Sequence, residues 1–126
     1  MILADTDVLI DYLAGTRPIA ERVRSYIESD NLKTTAVTCF ELLSGAGENR
    51  RGDDVRRLIA AIPVLALDRD GAAQAAIVRQ QLSGGGFPIG MGDSLIAGIA
   101  LANDLPLLTR NRRHFEKIEN LSLIRE

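Results

Sequence analysis

Four short runs along this chain are apolar or β-prone: Ile2–Ala4, Leu32–Ala36, Val64–Leu67 and Pro106–Thr109. Each gap between them is long enough for one or two helices. Parallel strands need crossover connections of about a dozen residues or more, usually helical. Strands of a parallel sheet are covered on both faces and so read as short apolar runs. This alternation predicts an α/β fold, with a parallel central sheet of four to five strands flanked by helices. The 126 residues make one domain with a real core and no second one.

The intervening segments read as helices with identifiable ends. A first helix spans Val8–Ala14 and stops at Gly15. A second has Pro18 in its first turn and runs to about Glu28. Thr38 is the expected cap of a third, which ends near Gly45 or Gly47. Asp53 opens a helix over Val55–Ile62, stopped by Pro63, and Asp70 caps one running to about Leu82. After the glycine-rich stretch Ser83–Gly92, Asp93 opens the most apolar helix, which ends near Asn103–Asp104. Arg112–Ile118 is a short helix, and Leu121–Ile124 is a candidate fifth strand.

Three carboxylates stand where folding alone explains them poorly. Asp5 closes the first apolar run. Asp93 opens the most apolar helix. Glu41 interrupts the apolar face of Val37–Leu43, and Val37, Phe40 and Ser44 on the same helical face direct its charge towards the sheet. Asp5, Asp7 and Asp93 also have an ordinary reading as helix N-caps, worth about 1 kcal/mol each. Ligand sites in open parallel sheets form at the carboxyl ends of the strands. Asp5 and Asn111 follow the first and fourth strands directly, so both fall on that edge, and Glu41 and Asp93 can lean over it.

Carboxylates gathered there repel one another by about 4 kcal/mol per pair at ~4 Å and an effective dielectric of ~20. The pocket must raise their pKa values or recruit a cation. Oxygen donors without a His or Cys set select Mg²⁺ or Mn²⁺. Such an ion takes phosphate oxygens as further ligands and activates water for in-line attack on a phosphodiester. His114 is the sole histidine, which rules out a multi-histidine site.

Charge narrows the partners. The net charge is −2, so any contact with nucleic acid is local rather than through a basic surface. Arg110, Arg112, Arg113 and His114 cluster beside Asn111, either as a solvated helix start or as a grip on phosphates near the acids. Ser83–Gly92 reads as a surface connection or a substrate-side flap. Cys39 is the single cysteine and reads as packing; the lack of an internal disulfide fits a reducing, cytoplasmic setting. The start carries no signal-peptide pattern, and no apolar run approaches the ~20 residues that span a bilayer.

Four segments, in this order and spacing, resemble the PIN-domain ribonucleases: Asp5-Thr6-Asp7-Val8-Leu9-Ile10-Asp11, Phe40-Glu41-Leu42-Leu43-Ser44-Gly45-Ala46, Asp93-Ser94-Leu95-Ile96-Ala97, and Leu108-Thr109-Arg110-Asn111 with Phe115. The likeness covers essentially the whole chain, 1–126, and is nearest to VapC-type toxins of prokaryotic toxin–antitoxin pairs. It implies Mg²⁺- or Mn²⁺-dependent cleavage of RNA, a homodimer, and inhibition by a small VapB-type antitoxin. By resemblance, Asp5, Glu41 and Asp93 are the central acids and metal ligands, and Thr6 is the hydroxyl residue beside the first acid. Asn111 falls on a fourth, usually acidic position. Asp7 stands where the family usually has Asn or Ser. The substitution at Asn111 favours one well-held ion. An apolar surface around Phe40, Leu42, Leu43, Tyr12 and Leu13 is either core or a groove for an antitoxin helix.

Two other readings stay open on the sequence. Asp5-Thr6-Asp7-Val8-Leu9 also resembles the opening motif of haloacid-dehalogenase-type phosphatases, with Asp5 as nucleophile, but that leaves Glu41 unexplained. The acids of a non-catalytic module would only receive a basic partner.

Overall fold

A computed structural model describes residues 1–125. The elements follow in the order β1 (Ile2–Ala4), α1 (Thr6–Ala14), α2 (Ile19–Glu28), β2 (Leu32–Thr35), α3 (Ala36–Ser44), α4 (Arg50–Ala61), β3 (Val64–Leu65), α5 (Arg69–Gly84), α6 (Met91–Ala102), β4 (Leu107–Leu108) and α7 (Arg112–Phe115). The strands form one parallel sheet ordered β3-β2-β1-β4. β1 is therefore internal, and the chain reverses direction across the sheet on either side of it.

Strand geometry splits the core in two. Neighbouring residues on a strand point to opposite faces, so Leu3 and Leu107 look one way and Ala4 and Leu108 the other. One cluster gathers Leu3 and Leu107 with Val78 and Leu82 of α5, Ile96, Ala97 and Ala100 of α6, and Phe115 of α7. The other gathers Ala4 and Leu108 with Val8 and Leu9 of α1, Ile19 and Val23 of α2, and Val55 and Leu58 of α4. The sheet is thus covered on both faces, as the apolar runs require.

The packing of α5 against α6 explains Gly98. A Cβ on Gly98 would collide with the Gly71 carbonyl oxygen and stand 2.6 Å from Ala75 N. The absent side chain lets the two helix backbones touch, and that contact fixes the axis of α6, which carries Asp93.

Several expected boundaries shift. The cap of α3 is Thr35, not Thr38: Thr35 Oγ1 accepts from Thr38 N at 3.0 Å. Asn49, not Asp53, caps α4, and Asp68, not Asp70, caps α5. Asp93 does not open its helix, because α6 begins at Met91 after Gly90. Leu121–Ile124 is not a full strand; Leu123 makes one isolated parallel bridge to Leu107. Among the described residues no helix is long and apolar enough to cross a membrane.

Candidate active site

The acids are positioned by the carboxyl edge of the sheet. Asp5 follows β1 directly, and its amide donates to Leu108 O of β4 at 2.9 Å. Its φ of −73° and ψ of 161° keep it extended while α1 starts at the next residue. The side chain is 2% exposed, and both oxygens have donors. Oδ1 accepts from Thr6 N at 2.8 Å and Oδ2 from Thr109 Oγ1 at 2.7 Å. Burial pushes the Asp5 carboxyl up to about 6; the Thr109 and Thr6 bonds oppose the rise, and the nearby Asp7 and Asp93 charges add to it. Asp7, in the first turn of α1, is also raised, first by its own burial. Arg110 and His114 oppose that shift, and Asp93 and Asp11 reinforce it.

Glu41 reaches the same place by another route. The expectation that its helical face packs on the sheet is corrected: Phe40 is 70% exposed, Glu41 and Ser44 are exposed too, and Thr38 and Leu42 form the buried side of α3. The Glu41 carboxylate nevertheless turns inward. Thr6 Oγ1 donates to its Oε1 at 2.6 Å. Thr6 Oγ1 and Thr38 Oγ1 stand 3.0 Å apart, and Thr35 Oγ1 donates to Thr38 Oγ1 at 3.3 Å. A hydroxyl has one proton to give. Thr6 spends its proton on Glu41, so Thr38 donates to Thr6, and the three hydroxyls run in one direction towards the carboxylate. The other oxygen, Oε2, lies 3.1 Å from where a Cβ on Gly92 would sit, so Glu41 rests against the first turn of α6, beside Asp93.

Asp93 is partly exposed and meets His114 Nδ1 through Oδ2 at 2.9 Å. Arg110 Nε stands 3.5 Å from Asp11 Oδ2, with the Asp11 side chain 10% exposed. Asn111 N donates to Thr109 Oγ1 at 3.0 Å, which ties the residue after the fourth strand to the hydroxyl that holds Asp5. Arg112 Nη1 donates to Ile124 O at 2.9 Å and anchors the tail of the chain. Arg113 is exposed near Asp93.

Asp5, Thr6, Glu41, Asp93, Asn111 and Arg110 therefore converge on one rim. Glu41 spends one oxygen on Thr6 and Asp93 one on His114. Correspondingly, among the described residues no three acidic, His or Cys side chains form a ready-made cage for an ion. The donors themselves are carboxylate and hydroxyl oxygens beside a buried Asp5 whose charge Asp7 and Asp93 oppose, which is chemistry suited to a hard divalent cation. Thr109, Thr38 and the His114–Asp93 pair escaped the sequence reading. Thr109 directly follows β4 on the same edge as Asp5, and that position was the available signal.

The family model described as PIN domain matches residues 2–121. The chain belongs to the PIN-domain family. This PIN domain is 34% identical over 121 residues to "Ribonuclease VapC10" of Mycobacterium tuberculosis (strain ATCC 25618 / H37Rv), covering 96% of this chain and 90% of that protein. It is 28% identical over 123 residues to "tRNA(fMet)-specific endonuclease VapC" of Shigella flexneri, covering 94% and 92%. Among solved structures it is similar to DNA-bound VapBC from Salmonella typhimurium, with TM-score 0.84 and 26% identity over 98% of this chain and 96% of that one. VapBC-1 from nontypeable Haemophilus influenzae gives TM-score 0.77 and 30% identity over 98% and 97%.

Proposed function

We propose that this PIN domain is a VapC-type endoribonuclease, the toxin of a toxin–antitoxin pair, which hydrolyses RNA phosphodiesters with Mg²⁺ or Mn²⁺. The observation that carries this reading is the meeting of Asp5, Glu41 and Asp93 on one rim, held from three separate elements, in a chain whose relatives are named ribonucleases. Asp5 and Asp93 would hold the ion, with Glu41 completing the set. When bound, the ion supplies Lewis acidity to a phosphate oxygen and lowers the pKa of the attacking water.

The protein's own share is positioning. Thr6 N and Thr109 Oγ1 lock the Asp5 carboxylate in one orientation. The threonine series holds Glu41. Arg110 offsets the negative charge at Asp7 and Asp11, and the Asn111 amide at the rim hydrogen-bonds without adding charge. Arg113 is the arginine of the cluster that stands free to meet phosphate, while Arg112 is spent on Ile124 O.

A small antitoxin is the natural regulator. A cleft of about 680 Å³ between α1, α2 and α4 has an apolar floor that includes Tyr12, Leu13 and Leu58 and a charged border of Arg17, Glu21, Arg24, Asp54 and Arg57, which suits an amphipathic helix. Leu42, in contrast, is buried core, and Phe40 and Leu43 stay exposed on α3, where they also offer apolar surface to a second copy of the chain. The phosphatase alternative fits poorly, since it gives no role to Glu41 and none to the PIN-domain match over residues 2–121.

The test is RNA cleavage by the purified chain with added Mn²⁺, with EDTA, and with Asp5→Asn and Asp93→Asn. Cleavage that needs the metal and falls at least a hundred-fold in both variants is expected. No turnover at high Mn²⁺ would leave a module that only receives a basic partner.

A further inference from the structure

A second cavity, of about 560 Å³, opens against the acid rim. Its lining includes Asp93 and His114, the pair that bounds the active site, then Arg113, Lys117, Phe87 and Ile89, with Glu116 the second carboxylate beside Asp93. Its volume falls in the ~300–1,000 Å³ range of small-ligand sites. Phe87 is 51% exposed, a large cost for an aromatic ring on a surface connection. Its backbone is nonetheless anchored on both sides: Phe87 N donates to Leu82 O at 2.7 Å, and Ile89 is buried. Gly86, at φ 82°, makes the turn that presents the ring. Lys117 Nζ lies 4.8 Å from the ring centroid, which covers one face of Phe87 and sets a cation beside it.

We infer that this cavity is the subsite for one unstacked nucleobase of the RNA and its adjoining phosphate, with the base on Phe87 and the phosphate met by Arg113 and Lys117. The inference rests on the ribonuclease reading and extends it to a residue that binds substrate away from the acids. Single-stranded RNA is commonly held by bases splayed onto aromatic rings, with cations along the backbone. A chain of net charge −2 must confine such cations to a local cluster, and Arg113 and Lys117 supply one beside Asp93. A base stacked on Phe87 lies next to the phosphate presented to Asp5 and Asp93. Because every base has a face to stack, the subsite positions the strand and reads its sequence only weakly.

The test uses the full chain, Phe87→Ala and Phe87→Trp. Steady-state cleavage of a single-stranded oligoribonucleotide with Mn²⁺ separates KM from kcat. In parallel, metal-free binding of an oligoribonucleotide carrying 2-aminopurine is followed by fluorescence, because stacking quenches the probe. Phe87→Ala is expected to raise KM and Kd about ten-fold, to abolish the quench and to leave kcat and Tm near the parent; Phe87→Trp is expected to restore binding and quench. A Phe87→Ala chain that binds and quenches like the parent overturns the inference. So does one whose only defect is weaker binding of a protein antitoxin. If the parent cleaves no RNA, the ribonuclease reading fails by itself, and the binding and quench measurements still decide the subsite.

Discussion

Burial sets the behaviour of Asp5. Burial raises its carboxyl from the ordinary 3.8 to about 6 in the fold, so the native state keeps a proton across a window in which the unfolded chain has lost it. Stability from this residue is therefore greatest below about pH 4 and falls as pH rises through about 6. At about 1.4 kcal/mol per pKa unit, the cost at neutral pH is up to about 3 kcal/mol. Asp7 shifts in the same direction and adds to the trend. Asp5→Asn is uncharged and can still accept from Thr6 N. Urea unfolding without divalent ions is expected to find this variant more stable than the parent at pH 7.5, with the gap closing towards pH 4. A gap independent of pH would contradict the assignment. Thr109 acts through Asp5. Thr109→Val removes the donor to Oδ2, so the acid limb of the cleavage pH profile moves to higher pH and the rate at pH 7 falls about ten-fold, while Thr109→Ser keeps both near the parent. Asp5 and Asp93 were legible in the sequence because a carboxylate beside an apolar run is conspicuous. Thr6 was named only through the resemblance, and Thr35, Thr38 and Thr109 were not named as site residues, since a hydroxyl serves equally in a cap, a strand or a site until its neighbours across the sheet are known.

At the scale of elements, the helices were legible and their first residues were not. Thr38, Asp53 and Asp70 all look like caps, yet Thr35, Asn49 and Asp68 do the work. A cap must be extended itself while accepting from an amide two or three residues on. Thr35 meets that condition because it is still part of β2, and in each case the earlier of two competing polar residues wins. The same uncertainty hid the start of α6, which begins at Met91 and so brings Gly92 into its first turn, against Glu41. That contact gives a separable test. A methyl at Gly92 would sit 3.1 Å from Glu41 Oε2 and shift the carboxylate by a few tenths of an ångström. Alanine is also the better helix former by about 0.5–1 kcal/mol. Gly92→Ala is expected to hold or raise Tm while cutting RNA cleavage several-fold; unchanged cleavage would remove Glu41 from the site.

For the whole molecule, alternating apolar runs and helices were enough to give a parallel sheet with β1 inside it, because few other arrangements bury such strands on both faces. Strand lengths were overread: Val64–Leu67 and Pro106–Thr109 contract to two residues each, as the pairing ends where the site begins. That early ending frees Thr109 to turn onto Asp5 and lets α7 bring His114 to Asp93. The result is an acidic rim assembled from β1, α1, α3, α6 and the segment after β4, far apart in sequence. The most direct measurement is Mn²⁺ binding by electron paramagnetic resonance at pH 7.5, comparing the parent with Asp5→Asn, Glu41→Gln and Asp93→Asn. The account predicts about one tightly held Mn²⁺ in the parent and at least ten-fold weaker binding in each variant. Equal Mn²⁺ affinity in the parent and all three variants would contradict it.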